Sequence, residues 1–214
     1  MGVAAHAPNS GPWQWPVVRP WGRGLTVASF ALAICMRLPA QAHTGPIGGG
    51  FAGGLAHPVF GLDHIAAMVA VGLWGAFLGP PAIVVLPVVF PLLMALGGVL
   101  GIVGLPLPAA ETAIATSAIV LGALVASAAR PRPWIAALVV GTFAIFHGYA
   151  HGVELPVGVD AVAYSIGFVV ATGLLHLAGI ALGLTVSWPA GRLIVRGAGT
   201  VIACAGVLFL WRLA

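Results

Sequence analysis

Apolar residues fill this chain in long blocks, and its few polar residues fall between them. The blocks run over 57–79, 82–103, 109–129, 133–152, 161–186 and 192–213. Each matches the roughly 20 residues that a helix needs to cross a hydrocarbon core about 30 Å thick. Proline, glycine and arginine punctuate the gaps, as in "GPPA" at 79–82 and "ARPRP" at 129–133. The pattern predicts an all-α fold, a polytopic membrane helix bundle with six transmembrane helices. Internal glycines at small-xxx-small spacing, such as Gly97 with Gly101, suit helices that approach closely in lipid.

Composition strengthens this picture. The chain has 214 residues, is 61% apolar and carries only 6% charged residues, far below the roughly 25% of a soluble domain. Short gaps between blocks leave no linker, so residues 43–214 form a single domain. The net charge of +4 comes from arginines scattered at block ends, not clustered with aromatics, and this argues against nucleic acid as a partner. The two cysteines, Cys35 and Cys204, each sit in an apolar run and are expected as small buried hydrophobes, not a disulfide or thiolate site.

Residues 1–42 have the form of a signal peptide. Arg19 and Arg23 precede an apolar stretch from Leu25 to Met36, and Ala40-Gln41-Ala42 provides a cleavage site. Cleavage there makes His43 the mature N-terminus, placed in the periplasm, with the protein in the bacterial inner membrane. The glycine-rich piece "GPIGGGFAGGLA" that follows is too short to cross and is expected as a loop or shallow half-helix. An external start puts Arg130, Arg132, Arg192 and Arg196 in the cytoplasm and Arg212 outside, in agreement with the positive-inside rule.

Against this background the ionisable residues are informative, because a charge at mid-bilayer costs roughly 2.5–3.5 kcal/mol even on insertion scales. With the six-helix topology, "HPVFGLDH" at the start of the first helix and "FHGYAHGVE" at the end of the fourth share the external side. His43, Glu111 and Asp160 fall there too. His147, His151 and Glu154 stand at i, i+4 and i+7, which stacks them on one helical face. His57 and His64 are also seven apart, with Pro58 and Gly61 interrupting helical continuity between them. Imidazole with carboxylate suits nickel, cobalt, zinc or copper(II) better than magnesium or calcium. Met68 is the one methionine near the cluster and is expected to be core. The bland readings are a hydrogen-bonded core role for His176, a helix-start role for Glu111 and a solvated loop position for Asp160.

At these residues the sequence resembles the HupE/UreJ family, small membrane proteins associated with nickel hydrogenases and ureases and regarded as nickel permeases. "HPVFGLDHIAAMVAVGLWG" is similar to the family's His-x5-Asp-His helix, "ETAIATSAIVLGALVA" to its third-helix segment, "FHGYAHGVE" to its His/Glu segment and "ATGLLHLAGI" to its helix with a central His. The resemblance spans the mature chain. It implies His57, Asp63 and His64 as the principal metal motif, His147, His151 and Glu154 as the second, and His43, Glu111 and His176 as further ligands or path residues.

The function implied is import of a divalent transition metal, with nickel as transported substrate and no organic cofactor. Partners would be the metal ion, membrane lipid and the maturation proteins of nickel enzymes, and the chain would not itself be an enzyme. Ligating imidazoles must be neutral, so uptake should weaken below about pH 6.5. The rival readings are an intramembrane zinc-dependent hydrolase, a haem protein with paired axial histidines, and a non-transporting metal-binding accessory protein or sensor. Histidines spread over a rim and a deeper level fit transverse haem ligation poorly.

Overall fold

Each expected block becomes helical, with one change at the first. The computed structural model describes residues 50–155 and 158–214. Among them the order is α1 (Phe51–Phe60), α2 (Leu62–Leu78), α3 (Ala82–Ile102), α4 (Ala110–Ala126), α5 (Pro133–Val153), α6 (Ala161–Leu184), a 3-10 turn (Thr185–Ser187) and α7 (Gly191–Leu213), with no strand. The signal peptide expected over 1–42, together with Cys35 and His43, falls outside the described residues.

The span expected over 57–79 is broken where Pro58 and Gly61 interrupt helical continuity. It is two helices, α1 and α2, that meet at an angle of 84°. Pro58 lacks the N–H that would bond one turn back. Gly61, extended at φ −86° and ψ 109°, then ends α1 and starts α2. The described part of the glycine-rich piece is therefore helical from Phe51 onward, and α1, with 10 residues, reaches only about 15 Å.

Four stretches are long and apolar enough to cross a membrane alone: Ala82–Ile102, Pro133–Val153, Ala161–Ser187 and Gly191–Leu213. The bent pair α1–α2 makes a fifth if counted as one span. Helix α4 has 17 residues, about 25 Å of rise and the short end of what a bilayer accepts.

Helix α2 is the centre of the bundle. Met68, Val71, Leu73 and Trp74 along it are fully buried, and it packs against each of the other six helices. A helix apolar on all sides belongs in such a position. Around it, α3 pairs with α5, α4 with α7, and α1 and α2 with α6. Glycines set how closely these pairs approach. On α3 and α5, a Cβ at Gly97 would overlap the Ile145 carbonyl, and one at Gly148 the Met94 carbonyl. In lipid such backbone contact supplies the packing that drives helix association. Large apolar side chains such as Val84, Leu138, Leu174 and Leu193 remain exposed on the outer faces, where hydrocarbon would cover them. Cys204 is also exposed, on α7, which corrects its expected burial. It occupies an outward position of an apolar helix, and hydropathy alone does not distinguish that from the core.

The two ends of the bundle differ in chemistry. The start of α2, the end of α5 and the start of α6 converge through His64, His151 and Tyr164, all grouped around His57. At the opposite end, Trp74 Nε1 donates to the Ala129 carbonyl at 3.2 Å, and the Arg130 guanidinium lies 4.6 Å from the Phe77 ring centroid. Arg196 Nε donates to the Ala126 carbonyl at 2.8 Å, which satisfies an orphan acceptor at the C-terminus of α4.

Candidate metal centre

The two histidine motifs, read from sequence as separate clusters, meet in one place. His57 from α1, His64 from α2 and His151 from α5 each offer a ring nitrogen, and these atoms lie within 4.8 Å of one another. The bend at Gly61 is what permits this. It turns α1 across the mouth of the bundle, so that His57 stands 6.0 Å from His64 and 4.7 Å from His151 between ring centroids. His64 and His151 are buried and His57 is half-buried.

Asp63 does not join the trio; it acts behind it. Its Oδ1 accepts from the His64 backbone N–H at 3.0 Å and lies 2.8 Å from His64 Nδ1. A carboxylate only accepts, so Nδ1 carries the proton and the neutral ring holds its lone pair on Nε2. That lone pair faces His151 Nε2 at 2.7 Å. In a tetrahedral site, metal–nitrogen bonds of about 2.1 Å place two imidazole nitrogens about 3.4 Å apart, so the two rings would have to part by a few tenths of an ångström or more to admit an ion. A carboxylate behind a ligating histidine is a recurrent arrangement that fixes the ring and raises its basicity.

One layer deeper is His147, fully buried, its ring centroid 5.2 Å from that of His64. Ser117 on α4 donates its hydroxyl to the Ile114 carbonyl at 2.6 Å, so its oxygen is left to accept from His147 Nε2 at 3.0 Å. The lone pair of His147 therefore sits on Nδ1, which has no hydrogen-bond partner among the described residues. Beyond His147, the Phe90 ring lies 5.7 Å from it and 5.3 Å from His176. His176 is 2% exposed, and its Nε2 also has no partner among the described residues. Leaving such a buried atom unpaired costs about 1–3 kcal/mol. The imidazoles thus descend from the rim into the core in the order His57, His151 and His64, His147, His176.

The remaining expected residues are placed differently. Glu154 is exposed and caps the end of α5, while Glu111 is exposed in the first turn of α4. Neither belongs to the trio. Asp160, expected as a solvated loop acid, caps α6: its Oδ1 accepts from Val162 N at 3.0 Å and Ala163 N at 3.1 Å. Met68 is wholly buried in the apolar core. Beside His151, between α3, α5 and α6, opens a cavity of about 210 Å³ lined in part by Met94, Gly98, Tyr164 and Phe168.

Sequence reasoning missed Ser117, Phe90 and Phe168, the last of which packs on His151 at 4.4 Å. Ser117 lies inside "ETAIATSAIVLGALVA", one of the segments similar to the family, and that was its only signal. The two phenylalanines are indistinguishable by pattern from any other core aromatic.

Comparison with known proteins gives two matches. A family model described as "HupE / UreJ protein" matches residues 30–209. Protein HupE of Rhizobium leguminosarum bv. viciae is 46% identical over 184 residues, which cover 86% of this chain and 96% of that protein. No solved structure matches the chain.

Proposed function

The chain belongs to the HupE/UreJ family, and from that premise we propose that it is a permease for a divalent transition metal, nickel foremost, working from the periplasm to the cytoplasm. The observation that carries this reading is the descent of imidazoles from the trio at the rim to His176, with a ring nitrogen left unpartnered among the described residues at both His147 and His176. A resident metal site would need ligands at one level only. A route needs them at several.

In this reading α4 and the bent pair α1–α2 both cross, which gives six spans behind a cleaved leader. The histidine end faces the periplasm, and Arg130, Arg132, Arg192 and Arg196 face the cytoplasm. The trio captures the ion, Asp63 orients His64, and His147 receives the ion next through Nδ1. Two charges moving down about 100 mV gain roughly 4.6 kcal/mol, enough to sustain an inside excess on the order of a thousandfold. The imported metal would supply the maturation of nickel enzymes.

The test is uptake of radioactive nickel by cells that lack their own importer. Uptake by the wild-type chain at background level would sink the reading. A second reading draws on the trio itself, since three histidines are also a catalytic zinc donor set. That zinc hydrolase would cleave ester or peptide substrates in purified form and would carry no nickel across the membrane.

A further inference from the structure

We propose that Thr172 and His176 form an inner cation station, a second stop below the three-histidine site, where the permeating divalent ion meets one hydroxyl oxygen and one imidazole nitrogen. This inference rests on the permease reading and deepens it. The two residues are one turn apart on α6 and share a face. Thr172 is 0% and His176 2% exposed. Both Thr172 Oγ1 and His176 Nε2 are without a hydrogen-bond partner among the described residues.

For the threonine this is out of pattern. A hydroxyl in an apolar helix ordinarily donates to the carbonyl four residues back. Thr116, Thr142 and Thr200 do so here, at 2.6, 2.9 and 3.1 Å. Thr172 is better buried than any of these three, so it has the most to gain from the same bond, yet makes none. Its oxygen is left available, with no polar group among the described residues satisfying it.

The position fits a stop on a route. A Cβ at Gly72 on α2 would overlap the His176 carbonyl, so His176 lies level with Gly72, eight residues of helix beyond His64, or about 12 Å deeper. Phe90, 5.3 Å from His176 and 5.7 Å from His147, stands between the two levels. The chemistry fits as well. One nitrogen and one oxygen, both neutral, suit a borderline divalent ion. Without a carboxylate they hold it weakly, and conduction needs binding weak enough to let go.

Two isolated polar atoms would also be satisfied by a buried water, and the experiment separates water from metal. Radioactive nickel uptake is measured in cells lacking an importer, and equilibrium nickel binding is measured on the purified full chain in lipid nanodiscs. Thr172→Val keeps shape and removes the hydroxyl; Thr172→Ser keeps the hydroxyl and removes a methyl. Loss of one ligand to a passing ion should slow maximal uptake about tenfold in Thr172→Val, with Thr172→Ser within about twofold of wild type. His176→Ala should show the same slow uptake. In all three, nickel binding at the outer trio stays within about twofold.

Wild-type uptake rates in Thr172→Val would overturn the station and leave the permease standing, with water as the occupant. A Thr172→Ser defect equal to or worse than Thr172→Val would assign the residue to packing and overturn it too. So would loss of outer binding in Thr172→Val. If the wild-type chain itself takes up nothing, the permease reading falls first.

Discussion

The arginine end and the histidine end of this bundle both carry polar side chains but use them in opposite ways. At the arginine end, polar atoms go to structure. Arg196 closes the last turn of α4, Trp74 bonds the Ala129 carbonyl, and Arg130 stacks on Phe77. At the histidine end, Asp63 and Ser117 fix the protons of His64 and His147 so that lone pairs point elsewhere. The lesson is that polarity at a helix end says little by itself. What separates scaffold from site is whether donors and acceptors balance once the fold is made.

The sharpest way to break this contrast is His64→Ala. It removes the nitrogen that faces His151 and strands Asp63, so nickel binding should weaken about a hundredfold or more and uptake should fall to background. Binding that survives intact would mean that the trio is not where metal enters. Gly61→Ala comes next. Its new Cβ would stand 2.8 Å from His64 Nδ1 and 3.1 Å from Asp63 Oδ1, displacing the ring while leaving all three histidines in the chain. Nickel affinity measured by titration should drop about ten- to a hundredfold.

Asp63→Asn keeps the size and removes the charge that holds the Nδ1 proton. An affinity loss of about tenfold is expected, and an unchanged titration curve would show that Asp63 does not set the ring. Smallest is Arg196→Ala at the other end. It should cost about 1 kcal/mol in thermal or denaturant stability through the lost carbonyl bond, while nickel affinity stays at the wild-type value. A fall in affinity there would erase the distinction between the two ends.

Much of this was legible in the sequence, for physical reasons that also mark where legibility stops. Runs of apolar residues between proline and glycine breaks located α3 to α7 to within a few residues, because backbone hydrogen bonding in lipid leaves helix as the only solution for an open chain. The break at Gly61 was harder. Pro58 and Gly61 flagged discontinuity, but an 84° turn depends on α1 finding its groove on α6. The same holds for the site. Motif spacing named His57, His64 and His151, yet their regrouping across two motifs, with Asp63 behind and His147 below, follows from the way α5 crosses α2. Thr172 could have been noticed four residues before His176, but a threonine in an apolar helix ordinarily bonds its own backbone. Only the missing bond makes it informative.

The central placement of α2 has a consequence for biogenesis. His64 and His151 are separated by 87 positions, and all of the helices that enclose α2 except α1 emerge from the ribosome after it. Until α5 and α6 arrive, the Asp63–His64 pair stands in the membrane with its lone pair unanswered and its central helix bare to lipid. On the permease reading, capture of metal would be tied to completed assembly: a chain stalled before α5 holds two of the three histidines and could not close the site. Truncation after residue 130 should therefore yield an inserted fragment that binds no nickel, read by retention on membranes during radioactive nickel washing.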